Sequence, residues 1–225
     1  MRFILTLLFI FIELMSVAQS KQVKQWAQYD RYILENKAIL KSPDVVFIGN
    51  SITYNWAKFV PDFFKKNNYV GRGISGQTTE QILARFRQDV VDLSPKVVVI
   101  LAGINDIAQN NGPISKENIL GNIKSMCDIA IANEIIPVLC SILPCDYFSW
   151  RKDLHPTERI IELNKMISIY AKNKKLKYVD YYSSMATADG ALNPNYTEDR
   201  CHPTVGGYKI MMPIIQNVLN ELLQK

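Results

Sequence analysis

The chain contains two histidines, His155 and His202, so any chemistry that needs an imidazole must use one of them. His202 stands three residues after Asp199, close enough for a shared loop or first helical turn to bring both side chains to one side. A carboxylate on one imidazole nitrogen fixes the tautomer and steadies the imidazolium that forms when the other nitrogen takes a proton. His155 is the rival base, yet its acidic neighbour is Asp153 beside it, and it precedes Pro156, a first-turn residue of a helix. It therefore reads as a surface residue. The candidate nucleophile is Ser51, which follows the apolar run Val45-Val46-Phe47-Ile48. A serine placed directly after a buried strand holds its hydroxyl over the sheet edge and attacks a carbonyl once a base removes its proton. Taken alone, Ser51 reads as a helix N-cap.

Acyl transfer also needs donors aimed at the oxyanion that forms. The backbone N–H groups of Ser51 and Gly76 and the side-chain amide of Asn105 would supply three, and losing one such donor typically costs about 2.7–4 kcal/mol of transition-state stabilisation. Glycine at position 76 lets the backbone approach a substrate closely.

These residues can meet only if the fold brings them together. Val45–Ile48, Tyr69–Ile74, Val97–Leu101, Ile135–Leu143 and Lys177–Tyr182 are rich in β-branched or aromatic residues and suit buried strands. Thr79–Leu93, Lys116–Asn133 and Thr157–Lys174 carry apolar residues at helical spacing, and Gln22–Leu40 and Val205–Leu223 add a leading and a closing helix. Ser115, with Asn118 behind it, marks a helix start, and Tyr54–Lys66 reads as a helix broken at Pro61. Strands alternating with helices imply parallel strands joined by right-handed crossovers, hence a three-layer α/β domain. Ligands of such sheets bind beyond the carboxyl ends of the strands, where strand order reverses. Ser51, Gly76, Asn105 and the Asp199–His202 loop all fall at that edge.

At 225 residues, 48% hydrophobic and 21% charged, the chain suits one soluble domain and excludes collagen-like, disordered and disulfide-dense classes. Residues 1–18 read as a signal peptide: Arg2, then an apolar run from Phe3 to Ile12, then small residues with a cut after Ala18. Glu13 keeps the run shorter than a spanning helix needs, and no Cys lies near the cut, which argues against a lipid anchor. The expectation is an exported, periplasmic or extracellular protein of residues 19–225 with no stable membrane insertion. Its net charge of +5 is spread out, and the cluster Lys172-Asn173-Lys174-Lys175-Leu176-Lys177 suits a solvated helix end, so no nucleic-acid role is expected. Four cysteines survive processing: Cys127 and Cys140 read as core residues, while Cys145 and Cys201 fall in loops, where a bridge between them stays open.

The blocks G-N-S-I-T (49–53), G-I-S-G-Q-T (73–78), G-I-N-D (103–106) and D-R-C-H-P (199–203) resemble, in order and spacing, the four blocks of the SGNH hydrolase superfamily, the GDSL lipases and esterases. The resemblance implies a flavodoxin-like five-stranded parallel sheet and an ester hydrolase with Ser51 as nucleophile, His202 as base and Asp199 as its partner. It matches Gly76 and Asn105 to the family's oxyanion glycine and asparagine and implies no metal or organic cofactor. One departure stands out: Asn50 replaces the family's Asp, which keeps the size and hydrogen-bonding capacity and removes the charge. The resemblance leans towards small-acyl esterases acting on glycans, so the expected activity is a secreted carbohydrate O-acetylesterase. The alternatives are a lysophospholipase, thioesterase or general short-chain esterase on the same triad, and a catalytically silent glycan-binding module. Tyr54, Trp56, Tyr147, Phe148 and Trp150 flank the expected cleft. Their rings either stack on sugar faces or cover the core, and the sequence leaves both open.

Overall fold

The computed structural model describes residues 26–224, so the expected signal peptide and the start of the leading helix lie outside the described residues. The five strands are β1 (Val45–Gly49), β2 (Tyr69–Gly73), β3 (Val97–Leu101), β4 (Ile136–Cys140) and β5 (Lys177–Val179). They form one sheet in the order β2-β1-β3-β4-β5, with every pairing parallel. This is the flavodoxin-like order of a doubly wound sheet. All residues of β1 and β3 are buried, which explains why both read as unbroken apolar runs: a central parallel strand is covered on both faces. From β1 the chain turns to β2 on one side and later to β3 on the other, so the crevice between the carboxyl ends of β1 and β3 is the switch point.

After β1 the chain enters the helix Ser51–Phe59, followed by Pro61–Asn67, and the break falls at Val60 with Pro61 in the first turn of the second helix. The cap of the first helix is Asn50, whose side chain accepts from Ile52 N, and this leaves the Ser51 hydroxyl free of capping duty. The helix lies hard against β2. A Cβ at Gly73 would sit 2.1 Å from Tyr54 N and 2.5 Å from Asn50 O, so only glycine permits this approach.

Trp56 takes the second of the two roles left open for the aromatics, covering the core. It is 1% exposed and stacks on Phe63 at 5.7 Å and Tyr208 at 5.5 Å, with the Phe47 ring edge-on at 5.5 Å. Its ring fills the aromatic core beneath the sheet edge instead of flanking the cleft. The Tyr208 hydroxyl donates to Ile52 O at 2.8 Å, tying the closing helix Val205–Leu223 to the Ser51 helix.

Several elements are shorter or more broken than their hydrophobic patterns suggest, and β5 ends at Val179 instead of Tyr182, where a short helix, Tyr182–Met185, begins. The expected helix Thr79–Leu93 is divided into Thr79–Ala84, Phe86–Asp89 and a 3₁₀ turn Val91–Leu93, bending at Arg85, whose guanidinium turns inward. The leading helix is interrupted among the described residues: Gln28 is left-handed, the carbonyls of Trp26 and Ala27 accept from the side chains of Gln81 and Gln77, and a helix resumes over Ile33–Lys37. Strand β4 stops at Cys140 because Asn164 takes over both backbone groups of Ile142, accepting from its N–H at 2.7 Å and donating to its carbonyl at 2.9 Å. Among the described residues no helix is long and apolar enough to cross a membrane.

Two glycines make the packing testable by urea denaturation. Gly73→Ala is expected to lower stability by about 1–3 kcal/mol, because rigid backbone meets the new methyl. Gly121→Ala, inside the helix Lys116–Ala132 with nothing within 4 Å of the added Cβ, is expected to raise it by about 0.5–1 kcal/mol. Equal midpoints for the two variants would contradict the packing described.

Candidate active site

Ser51 Oγ lies 2.9 Å from His202 Nε2, and His202 Nδ1 lies 2.6 Å from Asp199 Oδ2. An ionised carboxylate only accepts, so Nδ1 carries the ring proton, and Nε2 presents its lone pair to the serine hydroxyl. That is the tautomer a general base requires.

The loop that delivers the histidine is braced by its own aspartate. Asp199 Oδ1 accepts from His202 N at 2.7 Å and Cys201 N at 3.0 Å, while Arg200 between them adopts a left-handed φ of 68°. Burial pushes the Asp199 carboxyl up, but the His202 backbone N–H, the imidazole and the Cys201 N–H together hold it below the ordinary carboxylate value. Outside the loop, Arg200 pairs with Asp146 in the segment after β4. A few residues further on, Thr204 N donates to Tyr196 O at 2.8 Å.

The expected oxyanion donors line the same cleft as Ser51. Gly76 has a φ of +79°, a conformation that L side chains rarely adopt. Asn105 follows β3, is buried, and donates from Nδ2 to Gln77 O at 2.9 Å. Ser51, Gly76, Asn105, Asp199 and His202 line one open cleft of about 500 Å³. Every candidate site residue read from the sequence is therefore in one place.

Of the aromatics, Trp150 lines this cleft, its ring 6.2 Å from that of His202. Phe148 is buried beneath Trp150, Tyr147 lies under the Arg200 guanidinium, and Tyr54 lies near Lys58 and Arg31. His155 is exposed just before the helix Thr157–Lys174 and is not among the residues lining the cleft. Cys145 and Cys201 are free, buried thiols, so the bridge left open by the sequence is not formed. Contact with Cys145 and burial push the Cys201 thiol well up. Among the described residues there is no group of three or more His, Cys, Asp or Glu side chains that could hold a metal ion.

Sequence reasoning missed Asn55, Ser75 and Asn110, polar residues that complete the cleft lining. It also missed Arg85, whose fully buried guanidinium donates to Gln77 Oε1 at 2.6 Å, Asp89 Oδ2 at 2.8 Å and Gly49 O at 2.9 Å. A charged residue inside an amphipathic pattern gives no sign of facing inward. Asp106 was visible only as part of a motif. Its carboxylate accepts from Thr79 N at 2.9 Å and Thr79 Oγ1 at 2.6 Å, joining the loop after β3 to the helix that follows Gly76.

A sheet of this order, with a serine, an imidazole, a glycine and an asparagine amide converging on its switch point, defines an ester hydrolase of the SGNH type. Comparison with known proteins agrees. The chain belongs to the GDSL-like lipase/acylhydrolase family, whose model matches residues 47–210. A solved GDSL-like lipase from Bacteroides thetaiotaomicron superposes with a TM-score of 0.85 at 46% identity, covering 88% of this chain and 99% of that one. Among curated relatives, the human platelet-activating factor acetylhydrolase IB subunit alpha2 is 23% identical over 88% of this chain and 85% of its own. An acetylxylan esterase from Geobacillus stearothermophilus is 26% identical over 63% of this chain and 67% of its own.

The buried Asp106 gives the scaffold a pH signature. Burial, opposed by the Thr79 hydrogen bonds, raises its carboxyl from 3.8 to about 6. Between those values the folded protein binds more protons than the unfolded chain, so this group's contribution to stability falls as pH rises through the window. Asp106→Asn removes the ionisation. From about pH 4 to about pH 7, denaturation midpoints should move against wild type relative to the variant by on the order of 2–3 kcal/mol. A difference that stays flat over this range overturns the assignment.

Proposed function

We infer that the protein is an exported serine esterase that removes small acyl groups, acetyl foremost, from carbohydrates, with Ser51, His202 and Asp199 as its triad. The observation that carries this reading is the continuous hydrogen-bonded line from Ser51 Oγ through His202 to Asp199 at the floor of an open cleft.

The reaction has two halves. Ser51 Oγ attacks the ester carbonyl carbon as its proton passes to His202 Nε2, and the carbonyl oxygen becomes an oxyanion. The N–H groups of Ser51 and Gly76 and the free amide proton of Asn105 receive that charge. As the C–O bond to the alcohol breaks, Nε2 returns the proton to the departing oxygen, leaving an acyl-serine. Water then attacks the acyl carbon, giving its proton to Nε2, and collapse restores the Ser51 hydroxyl and frees the acid. Throughout, Asp199 holds the ring in one orientation and stabilises its charged form.

An acetyl group is common to the names of the acetylxylan esterase and the acetylhydrolase relatives, which supports a small acyl substrate. A carbohydrate alcohol is supported by the open cleft and by Trp150, 42% exposed beside His202, which offers a flat face to a sugar ring. A second reading, a lipid alcohol, draws support from the acetylhydrolase likeness and from an adjoining cavity of about 530 Å³ beyond His202, lined in part by Phe59, Pro203 and Val205. Export rests on residues 1–18 and is tested by fractionating cells that express the full chain. No nucleic-acid partner is proposed.

Acetylated xylo-oligosaccharides, p-nitrophenyl esters of increasing chain length and acetylated lipids separate the two readings. Highest kcat/KM on the acetylated sugars is expected, and activity that rises with acyl length or favours lipids would defeat the carbohydrate assignment. Ser51→Ala and His202→Ala should each lower kcat by about 10⁴-fold or more, and Asp199→Asn by about 10⁴-fold. Labelling by a fluorophosphonate should require Ser51. An active, unlabelled protein would sink the triad.

A further inference from the structure

Resting on the reading of Asn105 as an oxyanion donor, the geometry points to Asn110 as the residue that orients it, with the Trp150 indole N–H holding Asn110 in turn. The argument is one of hydrogen-bond polarity. Asn105 Nδ2 donates to Gln77 O, a carbonyl that can only accept, and this fixes which end of the amide bears the protons. Its Oδ1 then needs a donor, and Asn110 Nδ2 supplies one at 3.1 Å. The Asn110 amide also donates to Gly76 O at 3.2 Å, again a pure acceptor. Its Oδ1 accepts from Trp150 Nε1 at 3.0 Å, a group that can only donate. Each amide is therefore anchored by an atom with one available role, and neither can turn over without setting two like groups against each other.

The consequence lies at Asn105. With one Nδ2 proton on Gln77 O and Oδ1 occupied by Asn110, the second Nδ2 proton is left for the cleft that Asn105 lines. The same Asn110 amide holds the carbonyl of Gly76, so it steadies two of the three expected donors at once. The backbone supports the placement: Asn110 N donates to Asn105 O at 3.0 Å, and Gln109 between them is left-handed at a φ of 55°. Asn110 is thus a positioning residue for the oxyanion site, and Trp150 joins that polar chain as well as presenting a ring to the cleft.

The test is a double-mutant cycle read as kcat and KM on p-nitrophenyl acetate, with circular dichroism to show that each variant is folded. Asn105→Ala should lower kcat by roughly 10²–10³-fold. Asn110→Ala should lower it about tenfold, the worth of one hydrogen bond, with KM little changed. In the Asn105→Ala background, Asn110→Ala should have a much smaller effect, because only its hold on the Gly76 carbonyl remains. Trp150→Phe, which keeps a ring and deletes the N–H, should show the same pattern more weakly. Asn110→Asp, which accepts from Trp150 and cannot donate to Asn105, should be at least as impaired as Asn110→Ala. The inference is overturned if Asn110→Ala and Trp150→Phe leave kcat unchanged, act on KM alone, or act equally in both backgrounds. If Asn105→Ala itself leaves kcat unchanged, the oxyanion reading fails and takes this inference with it. A large Asn105 effect with a silent Asn110 removes only the inference.

Discussion

The Arg85 guanidinium is the interaction on which the site edge of the sheet depends. It is fully buried and reaches the carbonyl ending β1, the side chain of Gln77 in the loop after β2, and the carboxylate of Asp89. Burying a charge is expensive unless it is paired and its donors are satisfied, and here the planar fork meets three acceptors in different directions. Gln77 passes the constraint on, since its amide donates to Ala27 O and its backbone carbonyl receives Asn105 Nδ2. The residue before the nucleophile cap, the glycine loop and the asparagine after β3 are thereby referred to one internal point. The bend in the helix at Arg85 is the geometric condition for that side chain to face inward.

The proposed base, His202, arrives from elsewhere in the chain, 151 residues from the serine it meets. A long closure of this kind needs a loop that keeps its shape unaided. Asp199 gives it one, with Oδ1 closing the backbone turn while Oδ2 faces the imidazole. One carboxylate thus builds the loop and orients the ring. The same loop is tied to the β4 side by Arg200 and Asp146, and just behind it Tyr208 fastens the closing helix to the Ser51 helix.

Much of this was legible in the sequence. The strands were readable because central parallel strands are buried on both faces and so contain little but β-branched and aliphatic residues. The candidates Ser51, Gly76 and Asn105 were readable because each follows a strand end, where sheet topology sends them to one edge, and Asp199 and His202 because three residues separate them. Arg85, Asn110 and the role of Trp56 were not. Hydrophobic periodicity records which face of an element is apolar, and a buried guanidinium or a cleft-lining asparagine leaves the same pattern as a solvated one. Trp56 follows the nucleophile by five residues in a helix, so whether its ring faced the cleft or the core depended on packing against Phe63 and Tyr208, from segments that sequence proximity does not relate. The shortened β4 has the same origin: Asn164, on a later helix, takes the backbone groups that would have continued the ladder.

The neutral cap at Asn50 has an electrostatic consequence. The oxygen that accepts from Ile52 N would be present in Asp or Asn alike, so the turn into the Ser51–Phe59 helix does not depend on which residue is there. What differs is the field. The amino end of a helix carries the equivalent of about half a positive charge, which an aspartate cap would largely cancel. With Asn50 in that place the positive end stays unopposed, and the negative charge that the proposed reaction gathers beside Ser51 meets a helix terminus with no neighbouring anion in its cap.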